Sequence, residues 1–228
     1  MYFLKDSNKK VVFGWSAKCG CSHIKRIFYY LTIGEKNATI HQQKDIHDIQ
    51  NITDDYKIIL IIRNPYEKLI SGFIDKYNDK GQFRSSWDDS IPLTFENFVD
   101  ELIINKYRFI DEHHFVPQCS DDFNQLDIKH KNIVVYDISK IDYNYIECLY
   151  GKKIPDIVLN RKEGHENKKK LEDCGKIYSQ LQQEYSNVRP LTENFFNDIL
   201  KEKVDLFYKC DFDYFKSVGF DYTKEKNN

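Results

Sequence analysis

Apolar positions in this chain fall into short continuous runs, divided by polar turns and by stretches with helical spacing. Lys9–Trp15 contains Val11, Val12 and Phe13 and reads as the first strand. Lys57–Arg63 carries Ile58 to Ile62 without a polar break, the pattern of a parallel strand covered on both faces. Asn132–Tyr136 predicts a third strand. Elsewhere the period lengthens to three and four. Ile24, Ile27, Phe28 and Leu31 give one face of a helix over about 23–33, with Ser22 as its N-cap. Leu69, Ile70, Phe73 and Ile74 mark a helix from Pro65 to about Tyr77, with Asn64 as cap, Pro65 at the first position and Glu67 closing a capping box. Thr94 opens a helix to about Tyr107, with Leu93 and Phe98 as a hydrophobic staple. Further helices are predicted over about 139–150, from the end of a charged loop (Gly151–Lys170) to about Tyr185, and after Thr192 with Leu191 and Phe196 as staple. Residues 34–56 are polar without a clear period, and Asp79–Pro92 reads as a loop.

Strands alternating with helices imply an α/β fold. We expect three layers, a central mainly parallel sheet with helices on both faces, in a single domain over 1–228. Ligands of such sheets bind beyond the carboxyl ends of the strands. The chain has 228 residues, 41% hydrophobic and 15% aromatic, enough for a sizeable core. Its net charge of −2 lacks the basic field of a nucleic-acid binder, so no nucleic-acid partner is expected. The apolar run at 58–62 is too short to span a bilayer, and Asp6, Lys9 and Lys10 interrupt any signal peptide. No membrane segment is expected, and the compartment defaults to the cytoplasm. Six cysteines in this length do not form a disulfide scaffold and are read as free thiols. Nothing in the sequence signals an oligomeric state.

Two strand-to-helix turns carry candidate chemistry. Lys18-Cys19-Gly20-Cys21-Ser22 follows the first strand and opens a helix. Gly20 allows close backbone approach, Lys18 brings a charge, and the helix N-terminus presents free N–H groups, an arrangement suited to an anion. The plain alternative is an ordinary turn with a solvated lysine. Cys19, Cys21 and His23 also admit a metal reading, but zinc favours other spacings and a fourth ligand, so no metal is expected. A redox Cys-Gly-Cys pair is a further alternative. The second turn is Arg63-Asn64-Pro65. Ser71 lies two helical turns beyond Asn64 on the same face, so an Arg and a Ser there would grip one phosphate. Alternatively, Arg63 pairs with Glu67 or Asp75 and Ser71 is a small packing residue.

Together these segments resemble the sulfotransferases that use 3′-phosphoadenosine 5′-phosphosulfate, the Golgi carbohydrate enzymes of the chondroitin and dermatan 4-O type above all. Ala17-Lys18-Cys19-Gly20-Cys21-Ser22-His23-Ile24-Lys25-Arg26 resembles that family's 5′-phosphosulfate loop, with Ala17 in place of proline. Ile62 to Lys76 resembles its 3′-phosphate segment almost position for position, with Lys68 replacing arginine. Weaker echoes are Phe95-x-x-Phe98-Val99, His114-Phe115-x-Pro117-Gln118, and Phe207-Tyr208-x-x-Asp211-Phe212 with Phe220. A cysteine pair that follows the histidine motif in the family is missing here.

The resemblance implies a P-loop-like sulfotransferase fold and transfer of a sulfuryl group to an acceptor hydroxyl, on a carbohydrate before other acceptors. It implies Lys18 as the cation at the leaving 5′-phosphate. Backbone N–H groups of Cys19, Gly20, Cys21 and Ser22, the Ser22 hydroxyl and Lys25 would support it. Arg63 and Ser71 would hold the 3′-phosphate. His114 is the candidate base, with His113, His41, His47 or a carboxylate as competitors. Arg161, Lys162 and Lys168–Lys170 would close over the nucleotide or hold an anionic glycan, or form a solvated charge run. Trp15 and Trp87 would stack on a ligand or pack in the core. Rival functions are a nucleotide kinase or NTPase, disfavoured by the missing Gly-Lys-[ST] and with Asp137 as its only magnesium candidate, and a binding protein without turnover.

Overall fold

The computed structural model describes residues 1–34, 52–119, 132–160, 171–185 and 188–223. His41, His47, Arg161, Lys162 and Lys168–Lys170 lie outside the described residues. Contacts group the chain into two compact units: Met1–Arg63 with Gln118–Glu163, and Asn64–Pro117 with Gly164–Asn228.

The first unit holds a four-stranded sheet in the order β1-β2-β3-β4. Its strands are β1 (Tyr2–Asp6), β2 (Val11–Trp15), β3 (Lys57–Ile62) and β4 (Ile133–Asp137). β2, β3 and β4 are parallel, with Val12 opposite Ile58 and Ile59 opposite Val134. This is the α/β fold with a mainly parallel sheet that the alternation predicts. β1 is an addition: it pairs antiparallel with β2, Tyr2 facing Trp15. The hairpin turn is made by Asp6, whose Oδ1 accepts from the backbone of Asn8 (2.9 Å) and Lys9 (3.1 Å). The first predicted strand is therefore the second in the chain.

Alternate residues of β2 and β3 face one cluster with helix α1 (Cys21–Ile33) and the later helices α5 (Tyr143–Tyr150) and α6 (Asp156–Leu159). Phe13, Ile59 and Ile61 meet Ile24, Ile27, Phe28, Ile146 and Val158 there. Val12, Ile58, Leu60 and Ile62 point to the opposite face and are equally inaccessible. Both faces of the sheet are thus buried, and each such side chain contributes about 1.5–3 kcal/mol. Gly14 is required by crowding, because a Cβ would lie 2.6 Å from Leu60 Cδ2 and 2.8 Å from Met1 Sδ.

The second unit is helical and aromatic. α2 (Pro65–Lys76) starts as predicted: Asn64 caps it, accepting from the Tyr66 N–H at 3.0 Å, with Pro65 at the first turn. α3 (Phe95–Ile103) is capped by Thr94 and ends before the predicted Tyr107. Phe73, Phe95, Phe98, Phe115 and Phe195 pack in one cluster, with Phe73 and Phe98 centroids 4.9 Å apart. α4 (Glu112–Phe115) follows. Two predictions fail here. The segment up to Tyr185 is not the predicted long helix: Leu171–Glu172 pairs with Arg189–Pro190, Gly175 has φ +66°, outside any right-handed helix, and only Gln182–Tyr185 forms a 3-10 turn. The buried Asn194 ties the segment down by accepting from the Cys174 N–H (3.2 Å) and donating to Asp173 (2.8 Å). Thr192 opens only a 3-10 turn (Thr192–Phe195). The helix proper, α7 (Asp198–Phe207), is capped by Asn197, and α8 (Lys209–Ser217) completes the unit.

Candidate active site

Within the first unit, the loop from Ser16 to Gly20 leaves the carboxyl end of β2 and enters α1. The Cys19 N–H bonds the Ser16 carbonyl at 3.0 Å, closing a tight turn. Lys18 sits at φ +65° and Gly20 at φ +71°, both left-handed. A non-glycine residue there costs on the order of 1 kcal/mol and persists only where its surroundings hold it. Here the holders are identifiable. Arg63, at the carboxyl end of β3, donates from Nη1 to the Lys18 carbonyl at 2.9 Å. Cys19 is fully buried, and its thiol bonds Gln118 Oε1 at 3.0 Å. Gly20, not Ser22, is the N-cap of α1; its carbonyl accepts from Ile24 N–H at 3.0 Å. The cap forms through the left-handed backbone, which places Cys21 and Ser22 at the first two helical positions. The first-turn N–H groups, which no helical carbonyl satisfies, therefore belong to Cys21, Ser22 and their neighbours.

The structure brings Lys18, Cys19, Gly20, Cys21, Ser22 and Arg63 together around one loop. Arg63 is tied to this loop through Nη1, and its expected phosphate partner Ser71 lies on α2. Lys25 is 8% exposed and holds its ammonium 4.4 Å above the centre of the Trp15 ring, so a cation–π contact defines its position. Trp15 is correspondingly a core residue. His23 Nε2 lies 2.8 Å from the Tyr143 hydroxyl. Cys19 is bonded to Gln118 and His23 to Tyr143. Among the described residues no group of three or more potential ligands is placed to hold a metal. Asp137, the magnesium candidate, accepts from the Ser139 N–H (2.7 Å) and hydroxyl at the end of β4.

The second unit carries Ser71 and His114. Ser71 is half-buried on α2 beside Gly72, where a Cβ would meet Phe115 at 2.4 Å. His114 lies on α4, and its Nδ1 pairs with the Asp111 carboxylate. Burial pushes this imidazole below its ordinary pKa, and the opposing pull of Asp111 does not cancel that effect. Asp111 is itself placed, because its N–H donates to the Tyr77 hydroxyl at 3.1 Å. The backbone around His114 is pinned by two residues that the sequence offers only as members of motifs, Lys68 and Tyr208. Lys68, 1% exposed, donates to the His114 carbonyl (3.1 Å) and the Val116 carbonyl (2.8 Å), and lies over the Tyr208 ring. The Tyr208 hydroxyl donates to the Phe115 carbonyl at 2.5 Å. His113 contacts the His114 ring edge-on, their centroids 4.9 Å apart. Trp87, like Trp15, packs in a core.

Gln118 was visible in the sequence only as the end of a short motif. Asp111 had a better signal, three residues ahead of His114 on one helical turn.

The model of the sulfotransferase family (Sulfotransfer_2) matches residues 1–217. The chain belongs to the sulfotransferase family. Sulfuryl transfer to a hydroxyl is the chemistry this membership carries. No curated protein and no solved structure matches at a significant level. Among the described residues of this sulfotransferase-family chain, no helix is long and apolar enough to cross a membrane.

Proposed function

We infer that the protein transfers the sulfuryl group of 3′-phosphoadenosine 5′-phosphosulfate to a hydroxyl of a carbohydrate, as the chondroitin and dermatan 4-O type enzymes do. The observation that supports this most is the strained Lys18–Gly20 loop at the start of α1, held by Arg63 directly after β3. In this reading Lys18 offsets charge developing on the leaving 5′-phosphate oxygen. Backbone N–H groups of Gly20, Cys21 and Ser22 and the Ser22 hydroxyl share the same phosphate, whereas the Cys19 N–H is held by the Ser16 carbonyl and serves to shape the loop. Lys25 contributes through its positive charge near the helix start. Arg63 and Ser71 bind the 3′-phosphate and select this donor over simple adenylates.

His114 is the base. Its neutral form is favoured by burial, and Asp111 orients the ring through Nδ1, leaving Nε2 for the acceptor proton. The acceptor oxygen forms the new S–O bond as the bond from sulfur to the phosphate oxygen breaks. The proton passes to His114, and adenosine 3′,5′-bisphosphate leaves. As in phosphoryl transfer through a loose transition state, positioning and electrostatics supply the acceleration.

The test is a thermal-shift series followed by transfer of labelled sulfate to an acceptor array. Adenosine 3′,5′-bisphosphate without magnesium should stabilise the fold by about 2.7 kcal/mol at a hundredfold excess over Kd, and ATP by much less. Greater stabilisation by magnesium-ATP would point to a kinase or NTPase. Binding with no transfer to any acceptor would leave a protein without turnover.

A further inference from the structure

The chain leaves the sheet-bearing unit after Arg63 and re-enters it at Gln118, and these two residues are hydrogen-bonded to each other. The contact has the form of one rung of a β-ladder made by a side chain. Gln118 Oε1 accepts from the Arg63 N–H at 3.0 Å, and Gln118 Nε2 donates to the Arg63 carbonyl at 2.8 Å. Because both partners are backbone groups of fixed polarity, they decide which end of the amide is oxygen. The Cys19 thiol, 3.0 Å from that same oxygen, must then be the donor. Gln118 is fully buried. The ring closes through Arg63, whose guanidinium reaches the carbonyl of Lys18, the residue before Cys19. Loop, strand end and Gln118 thus form one cycle of hydrogen bonds with no solvent-exposed member at its centre.

We propose that Gln118 is a positioning residue for the nucleotide: it fixes Arg63 and the Lys18–Gly20 loop in one geometry and so sets the affinity for a nucleotide with two phosphate groups without touching it. A buried amide that satisfies three groups at once has no cheap substitute, since removing it strands the Arg63 peptide and the Cys19 thiol together. The proposal rests on the reading of this loop as a nucleotide site.

The test is a double-mutant cycle between Gln118→Ala and Arg63→Ala, read by titration of adenosine 3′,5′-bisphosphate and by amide hydrogen exchange at Cys19 and Arg63. Gln118→Ala should weaken nucleotide binding by about tenfold or more, raise KM for the donor and leave KM for the acceptor unchanged. In the Arg63→Ala background its further effect should be under about twofold. Exchange at Cys19 and Arg63 should rise in Gln118→Ala while distant helices stay protected. Fully additive losses, or unchanged exchange at both amides, overturn the proposal. Should Gln118→Ala not fold, Cys19→Ser and Cys19→Ala decide: the hydroxyl keeps the donor to Gln118, so the serine variant should bind nucleotide more tightly, and equal affinities overturn the tie. If the wild-type protein binds no nucleotide while exchange still rises in Gln118→Ala, the tie stands and the donor assignment is what fails.

Discussion

At the scale of single residues, the loop is defined by two left-handed positions with different tolerances. Gly20 has φ +71°, and a Cβ there would approach Ile138 Cδ1 to 2.4 Å. Gly20→Ala should cost about 1–2 kcal/mol for the backbone conformation alone, with the collision added. A Tm fall on the order of 5 °C, measured by calorimetry, together with weakened nucleotide binding, is the expected result; an unchanged Tm would refute this account of the turn. Lys18 keeps its conformation through the Arg63 contact, so Arg63→Lys should not restore what Arg63→Ala loses, because a point charge lacks the planar fork. His114 gives a pH prediction. Its folded pKa is lowered, so the stability tied to the neutral ring is complete above its ordinary value of 6.5 and is lost as pH falls below that. The acid limb of kcat should therefore lie below pH 6.5. Asp111→Asn removes a group that raises the pKa, so the limb should move further to acid; a shift to higher pH would contradict the pairing. Lys18, Gly20 and Arg63 were legible in the sequence because a strand end, a glycine and a cation occur within a few positions. Lys68 and Tyr208 were visible only as members of family-like motifs, because a buried lysine bonded to carbonyls leaves no local pattern of its own.

At the scale of elements, periodicity was informative where an element buries one face or both, and misled where a single tertiary bond overrode it. β3 and α2 were located to within a residue, since five consecutive apolar residues and an Asn-Pro start admit few alternatives. β1 was missed because Tyr2–Asp6 mixes charged and apolar residues and gains its place only by pairing with β2. The segment before Tyr185 has helix-forming residues, yet Gly175 and the side chain of Asn194 hold it open. Ser22 looked like a cap because serine favours that role, but the left-handed Gly20 caps the helix two residues earlier through its backbone. The close packing of β2 gives a prediction at this scale. Gly14→Val would drive two methyl groups toward Leu60, Met1 and Phe3. Overpacking of this kind costs about 1–3 kcal/mol, and a Tm lower by about 3–10 °C is expected in a thermal melt. A melt within a degree of wild type would show that β1 yields to make room.

At the scale of the whole molecule, the sequence placed the chain in its fold class through alternation and in its reaction class through two motifs, and the family match over 1–217 agrees with both. What no pattern carried was the hydrogen-bonded cycle at the strand ends, because its members are drawn from positions 18, 19, 63 and 118. Net charge makes the last prediction. A chain at −2 has no general attraction for anions, so the proposed nucleotide with its two phosphate groups would have to be held by a few groups in one place. A protein that binds a polyanion through released counter-ions loses about 10³–10⁵ in affinity between 50 and 200 mM salt. A compact ligand gripped by Lys18, Arg63 and helix N–H groups is exposed only to ordinary screening, and half-buried partners feel less of it. The Kd for adenosine 3′,5′-bisphosphate should therefore rise by less than about tenfold over that range, measured by calorimetric titration. A dependence as steep as a nucleic-acid binder's would mean that the anion is caught by a diffuse cationic surface, and the compact loop at the head of α1 would lose its claim to the nucleotide.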